Sequence, residues 1–275
     1  MGLPAEYTQG TMNGIRHFLL ALQFFTRLPV TGRLAQWVGF SPRMLRASAA
    51  HFPGVGWLVG GVGAAVFTLA QAGLPGAAGA LAAALLSTVA TALFTGAFHE
   101  DGLADMADGL GGSADRARAL EIMKDSRIGA FGAIALALAL GLKVALLATL
   151  AGQGAAAVAS AIVGAHVLSR LAPLFLIRGL PYVGDSGASK AKPLADAIGG
   201  GALAVGVAWS IPALVPVALA QGAIKTIAMV LACTLAAGWM ARLLWRRLGG
   251  FTGDGLGATQ QVCELAIYLA LAWRA

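Results

Sequence analysis

Apolar residues fill six long stretches of this chain, roughly 54–72, 77–97, 130–150, 155–177, 201–220 and 224–244. Each is close to the about 20 residues that an α-helix needs to cross a hydrocarbon core. Two shorter runs, at 15–27 and 258–273, flank them and predict shorter membrane helices, whether spanning, tilted or interfacial. The pattern therefore predicts an all-α fold: a polytopic integral membrane helical bundle with six clear transmembrane helices plus one or two shorter flanking ones. It is read as a single membrane domain over 1–275, with the polar residues 1–13 as a flexible tail. Small residues recur at helical spacing, as at Gly56 and Gly60, where they let helices approach closely in lipid.

The links between the runs alternate in character. Turns near 73–76, 151–154 and 221–223 carry no charge, although Lys225 lies just beyond the last. The other links are basic: Arg27, Arg33, Arg43 and Arg46 in 27–53, Arg116, Arg118, Lys124 and Arg127 in 98–129, Arg178, Lys190 and Lys192 in 178–200, and Arg242, Arg246 and Arg247 before the last run. The positive-inside rule places these four links in the cytoplasm. That expectation puts the chain in the cell inner (cytoplasmic) membrane as a multi-pass protein, with its chemistry on the cytoplasmic side.

Composition sharpens the picture. The chain is 58% hydrophobic and 11% charged, against roughly 25% charged residues in soluble domains. Its basic residues sit at span ends rather than in one patch, and aromatics do not interleave with them, so nucleic acid is not an expected partner. The lipid bilayer is, and a homo-oligomer is compatible with the sequence. Cys233 and Cys263 both fall inside predicted spans and read as core residues. The N-terminal segment lacks the cleavage site of a signal peptide.

Twelve residues are acidic, and seven of them lie between Glu100 and Asp125. Asp101, Asp105 and Asp108 are spaced i, i+4, i+7, which on a helix puts three carboxylates within about 60° of one another; Glu100 points roughly 100° away. Each charge at the bilayer centre costs on the order of 2.5–3.5 kcal/mol, so three together would cost ~10 kcal/mol. They are therefore expected to face water or a cation in a protein-lined cavity. Mg2+ takes one or two carboxylates together with substrate phosphates and waters, and a pair of such ions can clamp both oxygens of a phosphoryl transfer.

Around this stripe the candidates are of several kinds. Gly109, Gly111 and Gly112 read either as a loop whose N–H groups approach a phosphate or as a break between helices. Ser113 is expected to cap a helix reaching about Met123, with Asp115 in its first turn. Lys124 and Arg127 could neutralise phosphate oxygens or anchor the membrane edge, and Asp125 is a further ligand or a partner for Lys124. His99 is a metal ligand, a general base or an interfacial polar residue. Arg170 shares a helix face with His166 and is favoured for a cavity role; His51 and His166 are weaker candidates, and His17 reads as interfacial. Thr252 and Asp254 lie in a glycine-rich stretch, 249–258, that reads as a phosphate-cradling loop or a plain turn. Glu264 is an intramembrane carboxylate, a functional or pairing residue.

Several segments together resemble the cobalamin-5′-phosphate synthase (adenosylcobinamide-GDP ribazoletransferase) family. They are Leu22 to Pro29, His51 to Gly56, His99 to Gly112 with its His-x-Asp-Gly-Leu-Ala-Asp-x-x-Asp-Gly pattern, Met123 to Gly129, and Gly250 to Ala258. The resemblance implies that α-ribazole, or its 5′-phosphate, is joined to adenosylcobinamide-GDP with release of GMP, a ribose hydroxyl attacking the phosphorus on the cobinamide side. It implies Mg2+ as cofactor, held by Asp101, Asp105 and Asp108, with Glu100 at a position where the family tolerates other residues. Under this reading His99 or one of the aspartates takes the hydroxyl proton. Lys124 and Arg127, together with Arg170 or Lys190, offset charge on the leaving GMP. A CDP-alcohol phosphotransferase is the competing enzyme, but Asp105 stands where that family's Asp-Gly-x-x-Ala-Arg core has arginine. A cation-coupled transporter would place its ionisable groups near the midplane in repeated halves, whereas here the acids cluster in one link.

Overall fold

The computed structural model describes residues 5–184 and 198–273, with side chains from residue 13 onward. Lys190, one of the candidate phosphate partners, lies outside the described residues. Among the described residues there is no strand, only one parallel β-bridge between Tyr182 and Phe251. Helices α1 (Ala5–Phe25), α2 (Gly32–Val38) and α3 (Pro42–Ser48) lead through a 3-10 turn into α4 (Phe52–Gly73). Then follow α5 (Gly76–Thr95), α6 (Phe98–Gly112), α7 (Arg116–Ile122), α8 (Ala130–Ala151), α9 (Ala155–Gly179), α10 (Gly200–Gln221), α11 (Ala223–Leu248) and α12 (Gly253–Ala272). The segment expected as a tail over 1–13 is helical from Ala5 onward.

Six helical stretches are long and apolar enough to cross a membrane, and they coincide with the six apolar runs: Pro42–Gly73, Gly76–Thr95, Ala130–Ala151, Ala155–Gly179, Gly200–Gln221 and Ala223–Leu248. This is a multi-pass membrane protein. Leu138, Leu219, Ile224 and Leu235 stand exposed on α8, α10 and α11, where lipid replaces water as their solvent.

Helix α9 is buried along most of its length and forms the axis of the bundle, packed by α4, α10 and α12. Small residues make the α4–α9 contact. A Cβ on Gly60 would come within 2.8 Å of the Val163 Cα, and one on Gly56 within 2.7 Å of the Val167 Cα. Backbones this close exclude lipid and gain dispersion energy along the whole seam.

Helix α12 contains the second of the two shorter runs and carries several polar residues. Thr259, Gln260, Gln261 and Glu264 on it are all buried. It tolerates them because α6, α8, α9 and α11 surround it, so its polar groups meet protein rather than acyl chains. Lys143 of α8 lies with its Nζ 2.7 Å from the Glu264 Oε1, both side chains at most 3% exposed. Glu264 Oε2 accepts from the Gln260 Nε2 at 2.7 Å, and Gln260 also donates to the Ser169 hydroxyl at 2.9 Å. Gln261 donates to the Gln260 Oε1 at 3.0 Å and to the Glu100 Oε1 at 3.2 Å. One polar chain thus ties α8, α9, α12 and α6 together.

Removing one member of a buried ion pair strands the other. Lys143→Met is expected to destabilise the protein by about 3–5 kcal/mol, read as an earlier thermal unfolding transition in detergent. Adding Glu264→Gln should recover most of that loss. An unchanged transition in Lys143→Met would remove the pair from the account of stability.

Candidate active site

The acidic helix owes its position to an abrupt break. Gly96 closes α5 at φ +68°, and Ala97 follows at φ +56°, the one non-glycine residue in the left-handed region among those described. For an alanine this conformation costs roughly 1–2 kcal/mol. A Cβ on Gly96 would collide with the Arg27 guanidinium, and the Arg27 amide donates to the Phe94 carbonyl at 2.8 Å. The Thr26-Arg27 stretch therefore lies directly over the break. Redirected in this way, α6 leaves α5 and packs on α12, α8 and α7.

Asp101, Asp105 and Asp108 do lie on one helix, but they meet different surroundings. Asp101 is exposed, Asp105 is half-buried and Asp108 is buried. Asp108 turns to the start of α8, its oxygens accepting from the Gly129 amide at 2.7 Å and the Gly132 amide at 2.8 Å. A carboxylate at a helix N-terminus satisfies orphan N–H groups and complements the helix dipole. Asp254 takes the place beside the other two. A Cβ on Gly102 would come within 2.9 Å of the Asp254 carbonyl oxygen, and one on Gly257 within 3.4 Å of the His99 carbonyl oxygen, so α6 and the first turn of α12 touch through backbone. Burial, then the charges of Asp254, Asp101 and Asp108, push the Asp105 carboxyl up to about 7. Burial and Asp101 push Asp254 up to about 6. These are carboxylates crowded without enough positive charge to balance them.

Hard oxygen donors at such a spot have the chemistry that suits Mg2+, which needs one or two carboxylates and takes its remaining ligands from phosphate and water. Among the described residues, no three acidic, histidine or cysteine side chains form a metal-holding group by themselves. Glu100, included as a fourth ligand on sequence grounds, faces the other way: it is buried and accepts from Gln261. Its position one residue before Asp101 rotates it into the bundle.

Gly109, Gly111 and Gly112 form the last turn of α6 rather than a phosphate loop. Amides in a last helical turn are bonded to carbonyls one turn back, so only the carbonyls are orphaned. The glycines serve close packing instead: a Cβ on Gly109 would reach 2.5 Å from the Met123 Cγ, and one on Gly111 2.5 Å from the Phe131 ring. The cap of α7 is Asp115, whose Oδ1 accepts from the Arg118 amide at 2.8 Å; Ser113 Oγ accepts from the Asp115 amide at 3.1 Å. Asp125 pairs with Arg127 at 2.7 Å, and Arg127 is exposed. Lys124 is exposed on the same link, which reaches the acidic helix through Gly129. Thr252 is buried and caps α12, its hydroxyl accepting from the Gly255 amide at 3.0 Å. The stretch expected as a cradle is therefore the N-terminus of α12.

Beside the acids lies a narrow cleft whose empty space, counted out to the open solvent at its mouth, is about 530 Å³. Phe24, Phe25, Phe52, Phe98, Tyr182 and Phe251 form its walls, and His99, Arg170 and Gln260 are its polar groups. His99 stacks on Phe25 at 5.6 Å between ring centres, and burial lowers its pKa well below the usual imidazole value, keeping it neutral. Arg170 is buried, its NH1 donating to the His166 carbonyl at 2.9 Å. The bridge between Tyr182 and Phe251, with the Phe251 amide donating to Pro181 and the Val183 amide to Phe251, both at 2.9 Å, holds two of the walls. His51 belongs elsewhere: it accepts from the Trp209 indole at 3.1 Å and faces His17.

Two functional neighbours were missed from the sequence. Lys143 is a lone charge within an otherwise apolar span, which was itself a signal. Arg247 reads as a topology marker, yet it donates to the carbonyls of Leu110 at 3.0 Å and Ser113 at 2.8 Å, capping the acidic helix.

A family model described as cobalamin-5-phosphate synthase matches residues 17–272. An adenosylcobinamide-GDP ribazoletransferase of Albidiferax ferrireducens is 59% identical over 273 residues, covering 94% of this chain and 98% of its own length. One from Polaromonas naphthalenivorans is 58% identical at 94% and 98% coverage, and one from Shewanella amazonensis is 44% identical at 92% and 94%. No solved structure matches.

The raised carboxyl values have a consequence for stability. Between about 3.8 and about 7, folded Asp105 keeps a proton that the unfolded chain has already released, so each rise in pH through this window favours unfolding. In chelator, the protein is expected to unfold at lower temperature at pH 7.5 than at pH 5. Asp105→Asn should flatten that dependence; a variant with an unaltered slope would refute it.

Proposed function

The chain belongs to the cobalamin-5-phosphate synthase family, and we propose that it joins α-ribazole or its 5′-phosphate to adenosylcobinamide-GDP with release of GMP. This is the last assembly step of cobalamin synthesis. The observation that carries the reading is the acidic cluster of Asp101, Asp105 and Asp254 standing at the edge of an aromatic cavity. A ribose hydroxyl attacks the phosphorus on the cobinamide side of the diphosphate. The new P–O bond forms as the bond to the GMP oxygen breaks, and the hydroxyl proton passes to a base.

Such transfers depend chiefly on positioning and on balancing charge. Neutral His99 faces the cavity and is suited to accept the hydroxyl proton. Asp105 together with Asp101 or Asp254 would hold Mg2+, the remaining ligands coming from phosphate and water, with Asp108 bracing the helix that carries Asp101 and Asp105. When bound, the cation supplies the positive charge that a diphosphate and its leaving group require. Arg170 lends charge from the cavity wall, while Lys124 and Arg127 sit on the adjoining link. The basic links support an inner-membrane orientation with this end toward the cytoplasm.

Purified protein in lipid, given Mg2+, adenosylcobinamide-GDP and α-ribazole, should release GMP, and chelator should stop it. Release from a CDP-activated lipid instead would favour the competing phosphotransferase. Asp105→Asn is expected to lower kcat by about 10²–10³-fold with the protein still folded; near-normal turnover would overturn the assignment. A cysteine placed at Ala114 should react with an impermeant maleimide only in inverted vesicles, and labelling in intact cells would reverse the topology.

A further inference from the structure

We propose that the aromatic cavity is the subsite for the heterocyclic base of the ribazole substrate, a dimethylated benzimidazole, and not for guanine or the corrinoid. The inference rests on the transferase reading above and goes beyond it by assigning one substrate to one place. Six aromatic side chains from distant parts of the chain surround a space with few polar groups. Flat bicyclic bases bind such walls through their faces and edges.

The polar inventory then selects among bases. Both Gln260 Nε2 hydrogens are used, on Ser169 and Glu264, and its Oε1 already accepts from Gln261. Arg170 is a donor only, and its buried Nε has no hydrogen-bond partner among the described residues. Guanine presents an N–H and an amino group that need acceptors, and the lining side chains offer few: His99, the Tyr182 hydroxyl and the second lone pair of the Gln260 Oε1. A benzimidazole glycosylated on one nitrogen presents one bare ring nitrogen, an acceptor, and otherwise carbon. It matches the unpaired Arg170 donor within apolar walls, whereas the amide and amino edge of guanine would face mostly carbon. The corrin ring with its amide fringe calls for many polar partners and an open face, which this enclosed space lacks.

Direction agrees with the chemistry. Gly253 lines the cavity and Asp254 is the next residue; His99 lines it and Asp101 follows two residues later. A base seated among the rings sends its ribose outward to these carboxylates, where the diphosphate is to be held.

The test uses Phe98→Ala and Tyr182→Leu, two wall positions that are not deeply buried, in the full-length protein in lipid. Each variant should raise KM for α-ribazole roughly tenfold while leaving KM for adenosylcobinamide-GDP unchanged. A rise confined to the corrinoid substrate, or no change in either, overturns the assignment. Calorimetric titration of α-ribazole into protein without the second substrate separates this from the activity itself. Should the wild type release no GMP, binding of α-ribazole that weakens in both variants still supports the subsite, and absence of binding sinks it.

Discussion

Charge inside an apolar bundle has to be met by protein, and the long-range organisation of this molecule follows from how that is done. Lys143 and Glu264 come from helices more than a hundred residues apart and face each other in the bundle interior. From Glu264 the polar contacts continue through Gln260 and Gln261 to Glu100 at the start of the acidic helix. Each group in such a chain is expensive to leave unmatched. Helix α12 is thereby locked in the one register that places Asp254 beside Asp101 and Asp105.

The acidic helix is fixed at its other end by different means. Arg247 covers its terminal carbonyls, and Asp108 is spent on the first amides of α8. Two left-handed residues, Gly96 and Ala97, free it from the preceding span. The strain at Ala97 is small beside the contacts that α6 gains against α12, where glycines bring the backbones together. A rigid frame thus holds carboxylates at a spacing at which they repel, a state that suits the arrival of a cation and a diphosphate.

Repulsive acids next to an apolar aromatic cavity form a division of labour. The cavity rewards a flat base and excludes water; the acids govern the charged part of the reaction. The boundary between them is only one or two residues wide, at His99–Asp101 and Gly253–Asp254. Catalysis by positioning requires such closeness, since the attacking hydroxyl must belong to a substrate gripped on one side and meet phosphorus gripped on the other.

Hydropathy runs and the spacing of Asp101, Asp105 and Asp108 are local properties, so the sequence by itself determined the six spanning helices and the placing of three acids on one helix face. The glycine-rich stretch 249–258 added Asp254 to the candidates, as part of a substrate loop. Which acids stand together was decided only by the tertiary structure: Asp108 leaves the group for the α8 N-terminus, Glu100 turns inward to Gln261, and Asp254 arrives across the Gly102–Gly257 contact. The glycines of 109–112 were ambiguous between loop and helix because glycine permits both, and packing against Met123 and Phe131 settled it. Partners such as Lys143 for Glu264, or the six rings of the cavity, are contributed by segments far apart in the chain. No periodicity within one segment encodes them, because the energy that selects them arises only when the helices pack.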